Sequence, residues 1–155
     1  MIAEGTTPAA FELLDQNSET VASDDLVGTP FVLFFYPKAS TPGCTTEACA
    51  FRDLKEQFDA LGVAVYGVSA DTVKRQSNFA SKYELNMPLL SDPEHKILAP
   101  WGVWAEKKNY GKTYMGIVRS TLLFDRKGAV AHVWPKVRVK GHAEAVLEKA
   151  RELLG

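Results

Sequence analysis

The sequence predicts an α/β protein in which helices are layered on a sheet. Three observations carry that prediction. Residues Phe31 to Tyr36 are apolar throughout and are bounded by Pro30 and Pro37, which suits a strand buried on both faces. Gly62 to Ser69 (GVAVYGVS) reads the same way, and Thr45 to Leu61 between them has helical composition. Strand, helix and strand joined by short connections form a βαβ unit, hence a parallel pair with a helix packed on it. Farther on, Ile117–Phe124 and Ala129–Trp134 flank Asp125-Arg126-Lys127-Gly128. Gly128 suits the left-handed position of a turn with a bulge, so this is an antiparallel hairpin.

The remaining elements follow in chain order. Phe11–Leu14 and Thr20-Val21 flank the polar turn Asp15–Ser18, a short half-exposed hairpin. A second helix is expected over Asp71–Tyr83, with Asp71 as its N-cap. Met87–Leu90 is a weak strand candidate because of Pro88. Pro93–Met115 has no sustained period, and is either an irregular loop or an inserted hairpin. A terminal helix from about His142 places Val146, Leu147, Ala150, Leu153 and Leu154 on one apolar face.

Composition narrows the function. The chain has 155 residues, which favours a single domain over 1–155. Lys+Arg 18 against Asp+Glu 19 argues against a basic surface for nucleic acid or a polybasic membrane patch. The start, Met1–Gly5, lacks the cationic and apolar regions of a signal peptide. No apolar run approaches the ~20 residues of a membrane helix. A cytoplasmic location is the expectation. Two cysteines cannot form a disulfide scaffold, yet Cys44 and Cys49 lie close together.

Their setting points to chemistry. A buried strand ends at Pro37, and a loop leads into a helix whose start fits Thr41 as N-cap and Pro42 at the first helical position. Cys44 then lies in the first turn, where free N–H groups and the helix dipole favour thiolate. With Phe51 at zero and ~100° per residue, Leu54, Phe58 and Leu61 mark a core-facing arc. Cys44 falls at about 20° and Ala48 at about 60° on that arc, whereas Cys49 falls at about 160°, beside Asp53 and Glu56. In an ideal helix, residues five apart have Cα atoms ~8.7 Å apart, beyond the ~7 Å limit for a disulfide. If the pair bridges, the first turns must unwind. From the residues alone, a small buried hydrophobic role for these cysteines stays open. A metal site fits poorly, since C-x4-C is not C-x2-C and His95, His132 and His142 lack ligand spacing.

Pro37, Thr41 and Cys44 form P-x-x-x-T-x-x-C, and this pattern resembles the active site of peroxiredoxins. The string FFYPKASTPGCTTEACAFRDL resembles their bacterioferritin comigratory protein, or peroxiredoxin Q, subfamily. The likeness continues through VYGVSAD, YGKTYMGIVRSTLLFDRKG and VWPKVRVKGHAEAVLE. It implies a thioredoxin-like fold, a central mixed sheet flanked by helices, with an added N-terminal β-hairpin. It implies Cys44 as the peroxidatic cysteine, Cys49 as the resolving cysteine, and an intramolecular disulfide between them. Thr41 would hydrogen-bond thiolate and peroxide, Pro37 would shield them from water, and Arg119 would be the active-site arginine.

The residues themselves support Arg119, because an arginine within an apolar strand needs a charge partner. That partner is a thiolate or, on the plainer reading, a carboxylate. Arg52 fits worse, about 12 Å along the helix from Cys44. Glu47 is expected to complement the helix dipole. The resemblance further implies peroxide substrates, a thioredoxin-like dithiol reductant, no cofactor and a monomer. One departure is that many relatives are acidic where this chain has Ala39 and Ser40.

Rival readings remain. A disulfide reductase of the same fold usually carries C-x-x-C. A holdase or redox-sensing module would signal through the disulfide, and a structural protein would use its thiols only for packing. Trp101, Trp104 and Tyr110 either wall a substrate pocket or pack the core.

Overall fold

The computed structural model describes residues 1–154. Among the described residues nine strands and five helices follow in order: β1 Glu12–Leu14, β2 Thr20–Ala22, α1 Ser23–Leu26, β3 Phe31–Phe35, α2 Pro42–Asp53, α3 Lys55–Ala60, β4 Ala64–Ser69, α4 Val73–Lys82, β5 Leu89–Ser91, β6 Trp104–Asn109, β7 Lys112–Ile117, β8 Ser120–Phe124, β9 Val130–Trp134 and α5 His142–Leu154. Seven strands form one mixed sheet in the order β2-β1-β5-β4-β3-β8-β9, and β6 and β7 form a separate ribbon. The pairs β3–β4 and β4–β5 are parallel, while β3–β8 and β8–β9 are antiparallel. The N-terminal hairpin β1–β2 joins the sheet edge where Leu14 pairs with Ser91.

The central strand explains why its sequence is continuously apolar. Successive side chains of a strand point to opposite faces, and both faces of β3 are covered. Val32 and Phe34 pack with Phe51, Phe58, Phe79, Val146 and Leu147 on one face. Phe31, Leu33 and Phe35 pack with Phe11, Leu98, Trp101, Leu122 and Phe124 on the other. Phe34 stacks on Phe51 with centroids 4.6 Å apart, which fixes α2 against the sheet. In β4, a Cβ at Gly67 would come within 2.9 Å of both Leu89 and Phe34. Only glycine leaves room for the side chains crossing there.

Several sequence expectations are corrected. The helix expected to run on through Leu61 breaks at Leu54, where φ is −100° and ψ 4°. Leu54 N–H bonds back to Phe51 O, and Asn86 Nδ2 donates to Arg52 O at 3.2 Å, occupying a carbonyl that a continuous helix would use. Asp71 is not the N-cap of α4. Thr72 is, its hydroxyl accepting from Arg75 N–H at 3.2 Å. The stretch Pro93–Met115 contains β6 and most of β7, the inserted hairpin. Of its aromatics, Trp101 is core and Tyr110 projects into solvent. In α5, Leu153 is exposed rather than part of the apolar face. Ile117–Phe124 is two strands, not one: Ile117 ends β7, Ser120 begins β8, and Arg119 lies in the break.

Among the described residues no helix is long and apolar enough to cross a membrane.

Candidate active site

The site begins where β3 hands the chain to α2. Tyr36 N–H donates to Val68 O, extending the β3–β4 pairing by one step. Pro37 then ends it, having no N–H to donate. The loop crosses over with Ser40 at φ 64°, a left-handed conformation unusual for a residue with a Cβ. Thr41 is the N-cap and Pro42 the first helical residue, as the sequence indicates. Thr41 O accepts from Thr45 N–H at 2.9 Å and from Thr45 Oγ1 at 2.8 Å. The Thr41 hydroxyl does not cap the helix; it donates to Lys38 O at 2.7 Å. Pro37 is exposed at the rim of the loop.

Cys44 is 1% exposed and Ala48 fully buried, whereas Cys49 is half-buried on the outer side of α2. Both cysteines are free thiols. The unequal placement follows from the helical angles. One thiol is folded into the core beneath the helix start, and the other looks outward along the same helix.

Arg119 comes to the thiol from the neighbouring strand, just before Ser120, which pairs with Phe35 of β3. Its carbonyl accepts from Val137 N–H at 2.9 Å, and Val118 N–H donates to Val103 O at 2.8 Å, fixing the backbone between β7 and β8. Its guanidinium then spans two partners. Nη2 donates to Cys44 Sγ at 3.3 Å, and Nη1 donates to Glu47 Oε1 at 2.8 Å. The planar fork of arginine lets one side chain serve two acceptors at fixed separation. Both readings of Arg119 are therefore realised together, the sulfur and the carboxylate. Burial alone would pull the Arg119 pKa down, but the bond and charge of Cys44, followed by those of Glu47, raise it above the ordinary arginine value.

Glu47 is the residue whose role the sequence reading underrated. It is 1% exposed, and its Oε2 has no hydrogen-bond partner. Burial pushes its pKa up to about 7 against the opposing pull of Arg119. A signal was present: on the helical wheel Glu47 falls at about −40°, on the same inward arc as Cys44. Gly43 completes the packing, since a Cβ there would stand 3.2 Å from Arg119 Nη2.

Behind Arg119, His142 at the start of α5 hydrogen-bonds Thr121 across 2.8 Å between Nε2 and Oγ1. Burial and then the nearby Arg119 charge lower its pKa to about 4. It is a neutral packing partner near neutral pH, set edge-on to Phe51 and Trp134. No group of three or more His, Cys, Asp or Glu side chains converges among the described residues.

A buried thiol at a helix N-terminus, held by a guanidinium on a mixed sheet of this order, defines a thiol-redox protein of thioredoxin-like architecture. Comparison with known proteins makes this specific. Residues 5–133 match the AhpC/TSA family, and the chain belongs to that family. It is similar to the peroxiredoxin Bcp of Bacillus subtilis, 46% identical over 142 residues that cover 92% of this chain and 90% of that one. It is 41% identical to the Escherichia coli K12 peroxiredoxin Bcp over 148 residues, 96% of this chain and 95% of that one. Among solved structures it is similar to peroxiredoxin Q of Xylella fastidiosa, with TM-score 0.94 and 34% identity over 98% of this chain and 97% of that chain. The bacterioferritin comigratory protein of Xanthomonas campestris, described for its alkyl peroxide reduction activity, superposes with TM-score 0.90 at 39% identity over 94% and 92%. The chain is thus a peroxiredoxin of the bacterioferritin comigratory protein type, a thiol peroxidase.

Proposed function

We propose that this peroxidase reduces hydrogen peroxide and organic hydroperoxides at Cys44, resolves through Cys49 and is recycled by a thioredoxin-like dithiol. The observation that carries the reading is Arg119 Nη2 lying 3.3 Å from the sulfur of the buried Cys44. The thiolate attacks the nearer peroxide oxygen, forming an S–O bond as the O–O bond breaks. Sulfur is oxidised by two electrons to sulfenic acid, and hydroxide or alkoxide leaves. Negative charge moves from sulfur to the leaving oxygen, and preorganised donors are worth most where that charge develops. Arg119 supplies one donor, and first-turn N–H groups supply others. Thr41 takes part by turning its hydroxyl from Lys38 O toward the peroxide, and Pro37 shelters the loop side from water.

Resolution follows when the start of α2 unwinds. Cys49 attacks the Cys44 sulfenic sulfur, an S–S bond forms, and the S–O bond breaks with loss of water. Two thiols of the external dithiol then reduce the disulfide by exchange. The protein works as a cytoplasmic monomer, a reading supported by the subfamily resemblance.

Peroxide consumption with thioredoxin, thioredoxin reductase and NADPH tests the scheme. Cys44→Ser abolishes turnover. Cys49→Ser still forms sulfenic acid but stalls in recycling. A fully active Cys44→Ser protein overturns the mechanism, and undiminished turnover by Cys49→Ser overturns the assignment of the resolving thiol.

A further inference from the structure

We infer that Asp71 is a positioning residue: it clamps the loop preceding α2 and thereby restrains the unwinding that joins Cys44 to Cys49. The inference rests on the resolution step proposed above. Ala39, in the middle of the loop, donates its N–H to Asp71 Oδ2 at 2.8 Å. That bond ties the loop to the segment following β4. The same oxygen accepts from Ser69 Oγ at 2.7 Å, and Ser69 Oγ in turn accepts from Gln76 Nε2 at 2.9 Å. Gln76 Oε1 accepts from the hydroxyl of Tyr36, and Gln76 Nε2 also donates to Leu90 O at 3.0 Å. The network leaves the chain at Tyr36 and returns to it at Ala39, closing a ring across the root of the loop.

Burial gives this ring its hold. Tyr36, Ser69 and Gln76 are fully buried, and Asp71 is 7% exposed. Asp71 Oδ1 also faces Arg75 Nη1 at 3.9 Å, so losing the Ala39 donor leaves the buried carboxylate with Ser69 and a longer ion pair only, a loss that makes the bond break reluctantly. The loop is also held in a conformation it would not choose. Ser40, next to the clamped Ala39, has a positive φ of 64°, which an L residue keeps only when its surroundings enforce it. Ala39 packs in the same apolar cluster as Cys44. The clamp therefore fixes the segment from which Thr41, Pro42 and Cys44 follow, and α2 cannot uncoil freely from its first turn while the clamp is closed. Opening it lets Ser40 relax and lets Cys44 swing toward Cys49. Asp71 was free for this task because Thr72 caps α4 in its place.

The clamp acts oppositely on the two chemical steps. It keeps Cys44 set against Arg119 for the peroxide, and it delays the disulfide. In rapid-quench measurements with thiol alkylation and intact mass detection, Asp71→Ala slows sulfenic acid formation about tenfold. It speeds conversion of sulfenic acid to disulfide about tenfold, so less sulfinic acid accumulates at high peroxide. Asp71→Asn, which keeps a neutral acceptor, falls between Asp71→Ala and the wild type in both steps. A merely structural role lowers both rates together, or neither, and that result overturns the clamp.

Should Asp71→Ala not fold, hydrogen exchange at the Ala39 amide of the wild-type protein decides the matter. The amide is protected in the dithiol form and loses at least about a hundredfold protection in the disulfide form. Equal protection in the two forms overturns the clamp alone. Failure of the wild-type protein to form the Cys44–Cys49 disulfide under peroxide overturns the resolution step, and the clamp with it.

Discussion

Glu47 holds Arg119 from within the core: its Oε1 accepts from Nη1 at 2.8 Å while its Oε2, fully enclosed, has no partner at all. The pair lies one helical turn from Cys44, and the second guanidinium nitrogen is thereby left aimed at the sulfur. Through that bond the carboxyl sets how the guanidinium meets the sulfur.

Removing that hold should slow the first chemical step without unfolding the protein. Glu47→Gln keeps an acceptor for Nη1 but gives up the charge-assisted bond, worth about 1.5–3 kcal/mol. We expect peroxide reactivity to fall at least about tenfold, read by stopped-flow kinetics under single-turnover conditions. Glu47→Ala should fall further. Unchanged kinetics in a folded Glu47→Gln variant would show that Arg119 is oriented by its backbone alone.

The same carboxyl writes a signature into the pH dependence of stability. The folded-state pKa of Glu47, about 7, lies above its ordinary 4.5. Between those values the native state binds the extra proton, so stability falls as pH rises. His142 runs the other way: its pKa drops from 6.5 to about 4. Within that window the unfolded state binds the extra proton, so stability falls as pH falls. The two slopes oppose each other between about pH 4.5 and 6.5. Glu47→Gln should unmask a rise of order 1 kcal/mol per pH unit over about pH 4 to 6.5. His142→Asn should unmask the opposite slope up to about pH 7. Urea denaturation across this range measures both, and variants with the parent slope would refute the assignments.

Gly43 gives a steric test. A methyl group there meets Arg119 Nη2 at 3.2 Å, so the guanidinium must give way by a few tenths of an ångström. Helix propensity favours alanine over glycine by about 1 kcal/mol. Gly43→Ala should therefore leave Tm unchanged or raised while slowing the peroxide step several-fold. A loss of rate accompanied by an equal loss of stability would instead indicate a disturbed helix start.

Arg119→Lys separates charge from geometry. A lysine carries the charge but not the planar fork that reaches sulfur and carboxylate at once. The variant should lose nearly as much peroxide reactivity as Arg119→Ala, within about threefold. Retention of more than half the parent rate would mean that positive charge alone is what the site requires.

The legible and illegible parts of this molecule divide along a physical line. Periodicities of 2 and 3.6 and cap chemistry belong to neighbouring residues, so they are already present in the chain. They placed β3, β4 and the N-terminal hairpin, set the start of α2 at Thr41-Pro42, and separated an inward Cys44 from an outward Cys49. Arg119 was legible as a charge in need of a partner, although it sits between two strands rather than within one.

Tertiary structure decided everything that depends on which distant groups meet. Glu47 could have complemented a helix dipole, and it instead receives an arginine 72 positions away in the chain. Asp71 could have capped its own helix, and it instead takes the N–H of Ala39 across 32 positions. A carboxylate bonds whichever donor the fold leaves dry and within reach, and that choice is made by burial, not by local sequence. So the sequence by itself determined where the buried thiol would lie and which way its companion would face. The packed sheet alone determined which charges surround the thiol and what holds its loop in place.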